Sequence, residues 1–231
     1  MPDFLSLPAL ETMRQPTVTD QVFQTLYRQV MTLEMRPGTR MSEAEVARRL
    51  GVSRQPVRDA FWRLSQLGFL QVRPQRATTV APISIAAVRE AKFIRTALEV
   101  ETVRLAVLKL SAADLSDLAD LLAEQAAMVA ADDREAFHAL DEEYHRQICE
   151  RAGVGFTWTL IRAKKAHMDR VRFLSLTFGA ASALEDHRAI QQALEARDSD
   201  GTVAAVRMHL GRIETILSRV QGTHGGLFAE E

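Results

Sequence analysis

One cysteine, Cys149, is all the thiol that this 231-residue chain contains. No internal disulfide framework can hold it, and a reducing, cytoplasmic setting is expected. No apolar run approaches the roughly 18 residues of a membrane-spanning helix, so no membrane partner is expected. The opening MPDFLSLPALETMRQPT has no basic stretch leading into an apolar core, which argues against an export signal. There is no internal repeat and no low-complexity tract. Lysine is missing from residues 1–86, which hold eleven arginines against seven acidic residues, a balance of +4. Residues 87–231 hold eighteen basic against twenty-three acidic groups, or −5, and the two halves sum to the net −1 of the chain. A basic front and an acidic back point to a polyanionic partner for the front alone.

What is present suits a packed globule: 47% hydrophobic and 26% charged residues, and length enough for two ordinary domains. Residues 1–16 carry three prolines and no periodicity and read as a flexible tail. Val22, Phe23, Leu26, Val30 and Leu33 predict a helix over Thr19–Met35, capped by Thr19 or Asp20. Ser42-Glu43-Ala44-Glu45 has the spacing of a capping box and opens a short second helix that Gly51 closes. Ser53 caps a third, carrying Val57, Ala60, Phe61 and Leu64 on one face and Arg54, Gln55, Arg58 and Trp62 on the other. Pro56 is then its third residue, where an N–H has no intrahelical partner to lose. Phe69–Val72 and Thr78–Val80 predict two strands joined by the basic link Arg73-Pro74-Gln75-Arg76-Ala77. The head spans 17–81. After Ser84 strand signals vanish, and amphipathic stretches at about 84–109, 114–130, 133–152, 156–178, 182–197 and 201–220 predict an all-α antiparallel six-helix bundle over 84–221, with 222–231 as a tail.

A helix that enters the DNA major groove needs an N-terminus aimed at the duplex, basic side chains and a buried back face. Residues 53–64 supply all three. Arg54 and Arg58 lie one turn apart with Gln55 between them, while Arg48, Arg49, Arg73 and Arg76 could grip flanking phosphates. A plain solvated face is the alternative for any one arginine alone. The run PGTRMSEAEVARRLGVSRQPVRDAFWRLSQLGFL resembles the winged helix-turn-helix of the GntR family of bacterial transcription regulators. The resemblance implies DNA contact by Ser53, Arg54, Gln55, Arg58 and the wing. Two positions depart from the family pattern: Leu33 stands where a glycine usually ends the first helix, and Ala77 replaces a wing glycine.

In the back half, Asp141 and His145 are four apart and share a helix face, while His187 and His209 flank apolar stripes on later helices. Such a carboxylate and three imidazoles can converge inside a bundle and hold zinc, nickel, iron(II) or manganese, although an isolated Asp-x-x-x-His pair commonly does no more than hydrogen-bond at a surface. His138, His167 and His224 show how easily histidines occur without such a role, and Cys149 reads as core. Residues 84–220 resemble the all-helical effector domain, FCD, of the FadR branch of that family. The markers are Arg95-Thr96-Ala97-Leu98-Glu99, Asp141-x-x-x-His145, Glu185-Asp186-His187-x-x-Ile190 and Met208-His209-Leu210. The resemblance implies a divalent metal, zinc first, on Asp141, His145, His187 and His209, and a ligand carboxylate on Arg95. An i,i+4 surface pair with Glu99 is the other reading of Arg95. Ala152-Gly153-Val154 departs from the family's Ala-Gly-Asn.

The expected function is a homodimeric, ligand-responsive repressor that binds double-stranded operator DNA and senses a small carboxylate-containing effector. Two rivals remain: a metal-dependent enzyme using the same four residues, and a regulator whose metal is purely structural.

Overall fold

A computed structural model describes residues 16–72 and 77–229 of the chain. The head contains helices α1 (Val18–Met31), α2 (Glu43–Leu50) and α3 (Arg54–Gln66), with strands β1 (Arg40–Met41), β2 (Leu70–Gln71) and β3 (Thr78–Val80). The strands form an antiparallel sheet in the order β1-β3-β2, with Met41 opposite Thr78 and Leu70 opposite Val80. β1 is too short to show alternation and escapes the sequence pattern. The apolar faces of α1 and α3 meet in one core with Phe69, Leu70 and Val80.

Local chemistry differs from expectation at three points in the head. Thr17, not Thr19 or Asp20, caps α1, and Asp20 completes a capping box with it. The helix stops at Met31, and Leu33 takes φ +63°, the left-handed conformation in which a glycine would be unstrained. Ser42 does cap α2 by position, but its side chain makes no cap hydrogen bond, and the Glu45 carboxylate pairs with Arg48 and Arg49 rather than reaching back to complete a capping box. Ser53 precedes α3 and Pro56 is its third residue.

The rest is all-α: α4 (Ile85–Lys109), α5 (Ala112–Ala131), α6 (Arg134–Arg151), α7 (Phe156–Arg162), α8 (Ala166–Glu195), α9 (Ser199–Gly211) and α10 (Ile213–His224). These are seven helices among the described residues, where the periodicity gives six. Gly179 does not break the chain: it lies inside α8, and the break falls earlier, at 163–165. Lys165 is turned wholly inward there to reach Glu142 and Asp169, an ion pairing that no periodicity registers. The expected 201–220 helix divides at Arg212, whose N–H bonds back only three residues, to the His209 carbonyl. Residues 222–229, expected as a tail, continue α10 and then form a 3₁₀ turn. Phe228 pairs with Ile83, whose N–H donates to the Leu227 carbonyl. The physical reason is that Ile83 is fully buried, so its backbone groups need partners.

Head and bundle meet at the start of α8. Ala166 belongs to the core of the head, the His167 Nδ1 accepts from the Ser84 N–H at 3.1 Å, and the Arg170 guanidinium donates to the Ala81 carbonyl. Burial, then Arg170, pushes the His167 imidazole down to about 4, so it is a neutral acceptor at neutral pH.

Candidate functional site

α3 presents Ser53, Arg54, Gln55 and Arg58 on its exposed face, with Val57, Ala60, Phe61 and Leu64 buried behind them. Two of these rest on weak local partners: the Gln55 amide donates to Asp59, and the Arg58 Nε lies 3.2 Å from Glu43. Arg48 and Arg49 share Glu45 at the surface, contacts that water screens and a phosphate could replace. Arg54 makes no ion pair among the described residues. Arg73 and Arg76 lie outside the described residues. Trp62 is 63% exposed and has no assigned role.

In the bundle, Asp141, His145, His187 and His209 converge, all buried, with one ligand atom from each within 4.8 Å of the others. α6 supplies the first two, α8 the third and α9 the fourth. The outer partners settle which ring nitrogens face inward. The Gln125 Nε2 donates to the Leu140 carbonyl, which can only accept; its Oε1 must therefore face the His187 Nδ1, 2.8 Å away. His187 consequently carries its proton on Nδ1, and its Nε2 is left buried with no partner. Glu99 does the same for His145: the carboxylate lies 2.9 Å from Nδ1, and Nε2 is buried and unpartnered. The Tyr144 ring, 4.9 Å from that of His187, and the Trp158 ring, stacked parallel to that of His145 at 6.4 Å, hold the imidazoles in place. The His209 Nδ1 lies 3.5 Å from Asp186, which Arg212 also holds.

Two partnerless lone pairs aimed into a buried N₃O set fit a divalent metal ion, since no group among the described residues satisfies them. Burial drives the His187 imidazole well below its usual range and the His209 imidazole to about 4, which keeps both neutral, the state in which imidazole ligates. Burial alone would raise the Asp141 carboxyl, but the Arg172 guanidinium and the nearby imidazoles hold it well below the usual value, so it is ionised. Cys149 is buried core, its thiol pushed up to about 11 by burial.

Beside the cluster is a cavity of about 230 Å³ between α4, α8, α9 and α10. Lys92, Arg95, Arg172 and Arg212 line it against one carboxylate, Asp186, and His209 forms part of its wall. Arg95 is fully buried. Its Nε donates to Glu99 at 2.6 Å, so the pairing with Glu99 forms in the interior rather than on a surface, and Nη2 is left without a partner. Arg172, whose guanidinium donates to both oxygens of Asp141, was not singled out by the sequence reading, nor was Gln125. Neither carries a sequence signal, since only the packing of α5 and α8 against α6 brings them to the cluster.

Residues 18–80 match the bacterial regulatory proteins of the gntR family, and residues 90–212 match the FCD domain. The chain belongs to the GntR family. It is 34% identical over 226 residues to the HTH-type transcriptional repressor RspR of Escherichia coli K12, spanning 96% of this chain and 99% of that protein. The solved structure of E. coli McbR/YncC superposes with a TM-score of 0.76 at 25% identity, covering 89% of this chain and 99% of McbR. A GntR regulator from Rhodococcus sp. RHA1 shares the fold, with a TM-score of 0.72 at 22% identity over 87% of this chain and 97% of its own. This GntR-family protein is thus a transcriptional regulator with a DNA-binding winged helix-turn-helix and an FCD domain. The matched relatives are regulators rather than enzymes, so the enzymatic alternative is set aside.

Proposed function

We propose that this GntR-family regulator is a homodimeric repressor that responds to a small organic acid bound beside a metal ion. The observation that carries the reading is the cavity itself: four cationic side chains face one carboxylate across about 230 Å³, next to His209 of a buried Asp/His₃ cluster. Each of the four already has a carboxylate partner, but the buried Arg95 Nη2 has none, and the guanidinium forks of Arg95 and Arg172 match the geometry of a compact carboxylate. The ion, zinc first and nickel, iron(II) or manganese next, would sit on Asp141, His145, His187 and His209, where it supplies a Lewis-acidic anchor for an effector oxygen. Because His209 and Arg172 border both cluster and cavity, an effector contact is favoured over a purely structural ion.

Ser53, Arg54, Gln55 and Arg58 would face base edges and phosphates in the major groove. Arg48, Arg49 and the wing's Arg73 and Arg76 would add salt-dependent phosphate contacts. The repressor sign follows the printed name of RspR. Support for a dimer comes from apolar side chains left exposed on the adjoining α4 and α7: Phe93 (75%), Leu108 (80%), Phe156 (66%) and Leu160 (51%). An effector changes the output only if it prefers one disposition of the two heads over the other.

Native mass spectrometry of the purified chain tests dimer, metal and co-purified acid together. The expected result is a dimer carrying one ion per chain, and a monomer without metal would refute the sensor half. His187→Ala should lose the ion while keeping operator binding in a gel-shift assay. Arg58→Ala should do the reverse.

A further inference from the structure

At the junction of head and bundle lies a second cavity, of about 690 Å³, lined by Phe23, Tyr27 and Phe69 on one side and by His138, Glu142 and Asp169 on the other. The last three bring possible ligand atoms within 4.8 Å of one another. Lys165, however, already occupies that position. Its Nζ lies 2.8 Å from Asp169 and is hydrogen-bonded to Glu142, with no surface exposed. An ammonium there supplies the charge that a metal would bring, so the cluster reads as an internal ion pair rather than a second metal site.

Its interest lies in what it joins. The other oxygen of Glu142 is 3.4 Å from the Arg172 Nη1, while the Nη2 of the same guanidinium serves Asp141. Asp141, Arg172, Glu142, Lys165 and Asp169 therefore form an unbroken series of alternating charge, from the histidine cluster to the first turn of α8. That turn carries the head: Ala166 packs in its core, His167 accepts from the Ser84 N–H, and Arg170 donates to the Ala81 carbonyl.

Resting on the metal reading above, we propose that this charge ladder transmits occupancy of the Asp141 cluster to the DNA-binding head. Both oxygens of Asp141 accept from Arg172, and service as a metal ligand withdraws at least one of them. A guanidinium only 13% exposed is then short of an acceptor, and the one at hand is Glu142, already 3.4 Å from Nη1. As Arg172 draws on Glu142, Lys165 loses part of its hold, and the start of α8 loosens beneath the linker at 81–84. Arg172 and Glu142 are thus positioning residues, one competing for the ligand carboxylate and the other passing on the outcome.

Hydrogen exchange of the full chain, with Zn(II) alone as the probe, tests this. In the wild type, Zn(II) should speed exchange of the Ser84 and Asp169 amides by about fivefold or more, as expected for a local opening. Glu142→Gln should bind Zn(II) within about threefold of wild type, as a site outside the ligand set, yet lose that response. Arg172→Gln should bind about tenfold more tightly, having lost the competing cation, and also give no response. Arg172→Lys retains the charge in case the Gln variant misfolds, and should show an intermediate affinity and a reduced response. A response that persists in Glu142→Gln, or an Arg172 variant that binds no tighter than wild type, would overturn the ladder. Failure of the wild type to bind Zn(II) at all would instead overturn the metal reading, and the ladder with it.

Discussion

Replacing Gln125 with leucine removes the group that orients His187. The two side chains are close in volume, so little cavity is created and the effect is one of hydrogen bonding. Gln125 is fully buried and bonds the Leu140 carbonyl at 3.2 Å and the His187 Nδ1 at 2.8 Å. The Leu140 carbonyl lies inside α6 and keeps its helical partner, so the change orphans one donor in the core, the His187 Nδ1–H. Such an orphan costs about 1–3 kcal/mol, the loss expected in urea unfolding of the metal-free protein. The freed imidazole can then move its proton to Nε2, the atom that must stay bare to ligate. Loss of such an outer partner typically lowers metal affinity about 10–100-fold, or roughly 1.4–2.7 kcal/mol. Competition for Zn(II) against a chromophoric chelator at near-neutral pH reads this directly. Gln125→Glu, which keeps an acceptor facing Nδ1, should retain most of the affinity. A folded Gln125→Leu protein that binds Zn(II) as tightly as wild type would show that His187 is not held in this way, or is not a ligand.

Other consequences are open to simpler measurements. Leu33→Gly relieves the left-handed backbone at φ +63° and should stabilise the protein by up to about 1 kcal/mol, while the β-branched Leu33→Ile should destabilise it by about as much; equal denaturation midpoints for the two would refute the strain. The folded-state pKa of His167 lies below its unfolded value, so its contribution is whole above about pH 6.5 and falls away as pH drops towards about 4. His167→Asn preserves an acceptor for the Ser84 N–H and should lose up to about 2 kcal/mol less than wild type between neutral pH and pH ~5; parallel stability curves would contradict this. Gly68→Ala meets both φ +79° and the His167 ring 3.2 Å from the new Cβ. It should cost at least about 1 kcal/mol, read as a lowered Tm, and an unchanged Tm would refute the close contact.

The head was legible in the sequence because its signals are local. Ser53, Pro56 and the Val57–Leu64 stripe each act within one helix, and the order of arginines along it needs no distant partner. Asp141 and His145 were legible for the same reason, since four residues apart is one turn. His187 and His209 could be named as candidates, and as ligands only through the resemblance to FCD domains. That the four groups meet, and that their bare nitrogens point at one another, was decided by the packing of α6, α8 and α9. The break at 163–165 was likewise a tertiary outcome, because Lys165 turns inward only when Glu142 and Asp169 are there to receive it. Gln125, Arg172 and the path from the cluster to the head also belong to the folded state, for their partners lie 15 to 62 residues away along the chain. Periodicity reports which face of a helix is apolar. Which buried charge answers which other depends on distances across the core, and those exist only once the helices have packed.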